Sequence, residues 1–375
     1  MRMVNLRSYI IKALCIFVSW AKILFAARDK RFKNSIIFSS YNQGYKDNAK
    51  YFFEYMVGEG YNAFYVVADG LKFTSPVDSK FSDRFLTYGT KEYYKALKQC
   101  RRFFFTHSER DIGWYIPKRS SLVNLWHGSP IKKMGYDSPQ DLKWLSKYHA
   151  FKLKTPYDRW DYILVASDYF KDFFKSSLRY GEDKIIVNGL PRNSALAQQG
   201  LERADGRKKY LYAPTYRSEG VSIERACEDL KAEFRGLKDS VLYIRLHPFD
   251  FGKLPDGFFE GNIINANSFE DVYSALQDFD ALITDYSSIA FDYAITGRPI
   301  HLYCPDLESY TSERGGLYID IENLPFYLSR SAKELVSKLG MPPSYDPSIY
   351  SAPPSCSRLE SLLISKGVIS EDIKN

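Results

Sequence analysis

The sequence predicts an α/β protein of two doubly wound domains that face each other across a cleft, preceded by an amphipathic helix. Three observations lead there. Short apolar runs alternate with helical patterns from residue 35 onward, as in chains that build parallel sheets. The runs are continuously apolar, as expected of strands buried on both faces. A polar stretch at 195–209 divides the body into halves of similar size, at a length that suits about two domains. The expected organisation is a basic segment at 1–34, a first α/β domain at 35–195, a second at 205–345 and a helical tail at 346–375.

The first segment holds the whole charge excess. Lys and Arg total 52 against 45 Asp and Glu, a formal +7. Residues 1–34 contain eight bases and only Asp29 as an acid, so the remainder balances. A neutral body with a cationic appendage argues against a nucleic-acid-coating protein. Residues 9–27 approach the length of a membrane span, but Lys12 and Lys22 interrupt them. At helical spacing Lys12, Cys15, Ser19 and Lys22 share one side, and Ile10, Leu14, Phe17, Ala21 and Leu24 the other. With Trp20 and the bases at 28–33, the pattern suits a helix lying on anionic lipid, where each nearby base contributes on the order of 1 kcal/mol. A first helix packed on the domain is the main competing reading, and a signal peptide with its apolar region at 10–17, or a true span, the lesser one. The five scattered cysteines, without a CxxC pair, indicate neither a disulfide framework nor a zinc site.

In the first domain the expected strands are 35–40, 63–68, 102–106, 122–126, 162–166 and 185–188, with helices at 48–56, 91–99 and 168–177. The second domain follows with strands 210–213, 241–246, 262–265, 281–284 and 300–303, and helices 223–234, 269–276 and 288–295. In doubly wound sheets ligands lie outside the carboxyl ends of the strands, so polar residues there are the candidates. His127 ends one strand and precedes the turn Gly128, Ser129 and Pro130, with Lys132 and Lys133 beyond. A histidine there can serve as a general base. Arg245 and His247 follow another strand, where alternation sends both to one side, a pairing that suits phosphate. Ser287 and Ser288 stand between a strand and a helix, where free N–H groups and hydroxyls could hold a diphosphate, and Asp292 lies one turn on. The Asp278-Phe-Asp280 pattern precedes its strand, at the end away from the expected site, and is set aside as a metal motif. No GxxxxGK[ST], GxGxxG or GxSxG occurs.

Seven segments together resemble the CDP-glycerol:poly(glycerophosphate) glycerophosphotransferase family, the teichoic-acid-type primases, polymerases and related capsule enzymes. In order they are LWHGSPIKKMGYD (125–137), WDYILVASDYFKDFF (160–174), VNGLPRN (187–193), YAPTYR (212–217), RLHP (245–248), DALITDYSSIAFDYAITGRPI (280–300) and DLESYTSERGG (306–316). The resemblance implies a GT-B-like pair of domains, acceptor side first and CDP-donor side second. It also implies transfer of glycerol phosphate or ribitol phosphate from a CDP-activated donor to a hydroxyl of a lipid-linked or surface glycan, with release of CMP. Carried over by motif, His127 and His247 are the catalytic residues. Gly128, Ser129, Pro130, Arg192, Pro214, Thr215, Arg245, Ser287, Ser288 and Asp292 bind the donor. No metal or other cofactor is implied, no nucleic-acid partner is expected, self-association is left open, and the location is the cytoplasmic face of the membrane. Ser129 stands where Thr is common and Tyr216 where Trp is usual. The Pro-Gly-Pro turn that often follows RGG is replaced by LYIDIENLPF. A nucleotide-sugar glycosyltransferase of the same fold is the alternative enzyme, and a non-catalytic scaffold the alternative outside enzymes.

Overall fold

The computed structural model describes residues 6–70, 80–196, 206–216, 222–250, 252–269, 271–313 and 316–374. Two fully parallel sheets organise the chain. The first contains β1 (Ile36–Phe38), β2 (Ala63–Val67), β3 (Phe85–Thr87), β4 (Arg102–Phe105), β5 (Ser121–Asn124), β6 (Tyr162–Val165) and β7 (Ile185–Val187) in the order β3-β2-β1-β4-β5-β6-β7. The second contains β8 (Lys208–Tyr212), β9 (Ser240–Ile244), β10 (Ile263–Asn265), β11 (Ala281–Thr284), β12 (Ile300–Tyr303) and β13 (Tyr327–Ser329) in the order β10-β9-β8-β11-β12-β13. The three-residue strands β3 and β13 were not among the expected ones. Central strands such as β1, β2, β11 and β12 are buried at every residue, which is why their sequences are nearly all apolar, with Thr284 and His301 the buried polar exceptions. In each sheet the order reverses once, between β1 and β4 and between β8 and β11. Those two switch points are where side chains beyond the strand ends converge.

Local chemistry sets the helices between the strands. Thr90 caps Lys91–Gln99 by accepting from the Tyr93 N–H. Ser138 caps Pro139–Ala150, whose proline occupies a position where no N–H is needed. Helix Pro139–Ala150 had not been expected. The expected helix at 168–177 is a 3-10 turn, Asp168–Phe170, running into Lys171–Leu178. The expected division between domains lies largely in residues 197–205, outside the described ones.

The first helix, Leu6–Phe25, packs on the body through a narrow stripe. Ser19 and Ile23 are buried and Cys15 and Ile16 half-buried. The Lys98 ammonium donates to the Leu24 and Ala26 carbonyls, and Lys22 lies over the Tyr94 ring. Its apolar side faces outward: Ile10, Ile11, Leu14, Phe17, Val18, Trp20, Leu24 and Phe25 are all exposed. No helix among the described residues is long and apolar enough to cross a membrane.

The tail returns to the first domain. Ala352 N–H donates to the Ala166 carbonyl, and Asn188 to that of Ser355. Helix Cys356–Ser365 buries Leu359 and Leu363 in the same apolar core as Phe38, Phe52 and Phe104. Its Glu360 accepts from the hydroxyls of Tyr55 and Tyr61.

Candidate active site

The turn after β5 is held in a strained shape. Trp126 has φ +56°, a conformation that bulky residues avoid, and Gly128 has φ +144°. Asn124 accepts from the Trp126 N–H, and Asn48 donates to the Leu125 and Trp126 carbonyls. A methyl group on Gly128 would come within 2.5 Å of the Ser288 hydroxyl, so glycine lets the two domains close here. Three further residues in the left-handed region, Asn42, Gln43 and Asp47, lie in the loop after β1 and at the start of helix Asp47–Gly58.

His127 is thereby fixed at the seam. Its Nδ1 lies 3.1 Å from the Thr106 carbonyl, which can only accept, so Nδ1 carries the proton and Nε2 the lone pair. Burial lowers its pKa, against the opposing pull of Asp47 and the Thr106 bond, and Arg192 lowers it further. The ring stands in an aromatic column. His107 stacks on it at 3.8 Å and 9°, Tyr41 packs on His107 at 4.8 Å, and the Trp126 ring lies tilted against His127 at 4.6 Å. Burial, with His127 next to it, pushes His107 down to about 3.

Arg192 and Asp292 form a link between the domains. Arg192 Nη1 is 2.7 Å from Asp47 and Nη2 is 2.6 Å from Asp292, and Nη1 also donates to the His127 carbonyl at 2.9 Å. Asp292 accepts in addition from Asn193 and from the Tyr273 hydroxyl, and the Arg192 guanidinium lies over the Tyr273 ring. Burial opposes the Asp47 charge, yet Arg192, and after it His127, hold that carboxyl below its ordinary value. The structure therefore places Arg192 and Asp292 in a buried ion-pair network in which both guanidinium Nη atoms are engaged and Nε has no partner. The sequence had them reaching for the donor.

Arg245 and His247 also diverge from the sequence expectation. β9 ends at Ile244, so strand alternation does not govern the residues beyond it. Arg245 donates to the Ala266 and Phe269 carbonyls, whereas the His247 ring packs against Tyr216 and Phe249. The Phe249 N–H donates to His247 Nδ1 at 3.3 Å, so in the neutral ring Nε2 carries the proton. Burial lowers the His247 pKa; Asp250 raises it and Lys132 lowers it again.

The remaining predicted residues gather at the second switch point. Asp285 accepts from the Thr215 and Tyr286 N–H groups, which draws the Pro214–Thr215 turn beside Ser287 and Ser288. Ser129 and Pro130 are buried, and the Ser129 hydroxyl has no partner. The loop continues across the seam, where Lys133 N–H donates to the Gly316 carbonyl and Tyr318 N–H to that of Ile131. Arg314 and Gly315 lie outside the described residues. Among the described residues no group of three or more His, Cys, Asp or Glu could hold a metal ion.

A family model described as CDP-Glycerol:Poly(glycerophosphate) glycerophosphotransferase matches residues 23–348, which span both sheets and every residue of this seam. The chain belongs to that family. Within the glycerophosphotransferases it is similar to a teichoic acid glycerol-phosphate transferase of Staphylococcus aureus, 26% identical over 82% of this chain and 83% of the relative. It is also 28% identical to a teichoic acid poly(glycerol phosphate) polymerase of Staphylococcus epidermidis. That match covers 78% of this chain but only 43% of the longer polymerase. The fold matches a histidine variant of the wall teichoic acid polymerase TagF, with a TM-score of 0.73 over 98% of this chain and 99% of that one, at 21% identity.

Asp47, Tyr273 and His107 escaped the sequence reading. The last carried a usable signal, since Thr106-His107 follows β4 as Trp126-His127 follows β5.

Proposed function

We propose that the protein transfers glycerol phosphate, with ribitol phosphate as the other polyol, from a CDP-activated donor to a hydroxyl of a lipid-linked or surface glycan. The observation that carries this reading is the opposite polarity of two histidines in a chain of this family. The Thr106 carbonyl leaves His127 a lone pair at Nε2, and the Phe249 amide leaves His247 a proton at Nε2. One ring is set to accept a proton and the other to donate one.

In the proposed step the acceptor oxygen attacks the phosphorus that bears the polyol, while His127 Nε2 takes its proton. A new P–O bond forms, the bond to the CMP phosphate breaks, and CMP leaves with His247 donating a hydrogen bond to the departing charge. The amides and hydroxyls of Ser287 and Ser288, with the Pro214–Thr215 turn beside them, hold the diphosphate. Positioning and charge stabilisation supply most of the rate in such chemistry. Arg192 and Asp292 contribute by keeping the domains closed on the base.

The outward apolar side of helix Leu6–Phe25 would hold the body on the cytoplasmic membrane face, where a lipid-linked acceptor is found. Incubation with CDP-glycerol and with CDP-ribitol, each with a lipid-linked saccharide, tests the reaction by CMP release. Acceptor-dependent CMP from either donor supports it, and none from both refutes it.

A further inference from the structure

We propose that His107 is a positioning residue for this transfer: its uncharged ring, stacked face to face on His127, fixes the plane of the base and lies against the imidazolium that forms when the base takes its proton. The inference rests on the reaction proposed above.

The geometry is specific. A single hydrogen bond from Nδ1 to the Thr106 carbonyl anchors one atom of the His127 ring and leaves its plane free to turn about that contact. The face of His107, 3.8 Å away and within 9° of parallel, removes that freedom. One residue registers both rings, because the Thr106 hydroxyl is 3.0 Å from His107 Nδ1 while its carbonyl holds His127. His107 is itself braced. Its N–H donates to Asp111 at 2.9 Å, its carbonyl accepts from Asn124, and the Tyr41 ring packs on it at 4.8 Å. Asn124 is the residue that also steadies the Trp126 turn, so the two histidine loops share a brace.

The charges around the pair favour one protonated ring at most. Asp47 and Arg192 face His127 from the helix Asp47–Gly58 and from the turn after β7, and Lys46 and Asp111 lie near His107. Two imidazolium rings at stacking distance would repel one another in a buried site. A neutral His107 offers its π face to the cation that His127 becomes during turnover.

The test compares His107→Phe, which keeps a flat ring, with His107→Ala, which removes it. The first reading is the titration of His127 by histidine-selective NMR, tractable in a chain of five histidines. The second is kcat and donor KM for CMP release. His107→Ala should let water reach the ring and move the His127 midpoint up toward its ordinary value. It should lower kcat about tenfold, the scale of a lost aromatic pair, with donor KM little changed. His107→Phe should keep the wild-type midpoint and most of kcat. The inference is overturned if His107→Ala leaves both readings unaltered, or if the Phe variant loses as much kcat as the Ala variant. Absence of transfer by the wild-type protein would refute the proposed reaction, while the NMR midpoint would still report on the stack.

Discussion

Replacing Arg192 by Met tests the link between the domains most directly. The Arg192 side chain is 3% exposed, Asp292 1% and Asp47 14%, so the substitution strands two carboxylates away from water. Breaking a buried ion pair by removing one partner costs about 3–5 kcal/mol, chiefly through the charge left behind. With an unfolding entropy of about 2.1 cal/mol/K per residue over 375 residues, near 0.8 kcal/mol/K, the melting temperature should fall by about 4–6 °C. Scanning calorimetry reads that fall. The companion variant carries Asp47→Asn, Arg192→Met and Asp292→Asn together. It should recover part of the loss, because no unpaired charge is then left buried. The pH dependence follows from Asp47, whose folded pKa lies below the ordinary carboxylate value. Its contribution is complete above that value and is lost as pH falls through the folded pKa. In Arg192→Met burial instead raises the Asp47 pKa. Acidification then neutralises the stranded charge, and the gap from wild type narrows. A loss below about 1 kcal/mol, far short of a buried pair, would refute the argument, as would a triple variant no more stable than the single one.

Other expectations concern single side chains. His127→Ala should lower kcat by about 10²–10⁴, the range of general-base catalysis, and leave CDP affinity nearly intact in a calorimetric titration. Arg245→Ala should lower the unfolding free energy by about 1.5–3 kcal/mol in a urea titration, because its guanidinium bonds to the Ala266 and Phe269 carbonyls. Phe17→Glu with Leu24→Glu should abolish sedimentation with anionic phosphatidylglycerol vesicles without lowering the melting temperature, since both side chains point away from the body. His301 is buried on β12 without a hydrogen-bond partner, and burial pushes it down to about 4. The unfolded chain then binds the extra proton first, so stability should drop as pH falls from about 6.5 to 4, by about 3 kcal/mol. His301→Phe should flatten that part of the curve.

Strands buried on both faces could be read from the sequence because burial leaves them almost wholly apolar, as in Ile36–Phe38 and Ala63–Val67. The short strands Phe85–Thr87 and Tyr327–Ser329 lie at sheet edges and keep partly exposed residues, which erases that signature. The candidate residues beyond β5, β8 and β11 could be named because polar groups after a parallel strand have few other places to lie. Their pairings could not. Nothing local in the sequence shows that Arg192 meets Asp292, 100 positions on, or that Asp47 completes the network from the start of another helix. The helical period of residues 9–27 gave two faces but not their direction, which depends on Lys98 and Tyr94 waiting on a helix far along the chain.

The returning tail has a consequence for how the chain is made. The Tyr61 hydroxyl and Glu360, which meet in the first domain, are separated by 299 positions. Leu359, Leu363 and Ile373 complete the apolar core begun by Phe38 and Phe52. During synthesis the first sheet therefore emerges with one face unfinished and must wait, through translation of the entire second domain, for its last wall. Domains that fold as they leave the ribosome usually finish in order. Here the second sheet, complete at Tyr327–Ser329, can close before the first, and a chain cut after residue 350 would present a finished second unit joined to an open first one.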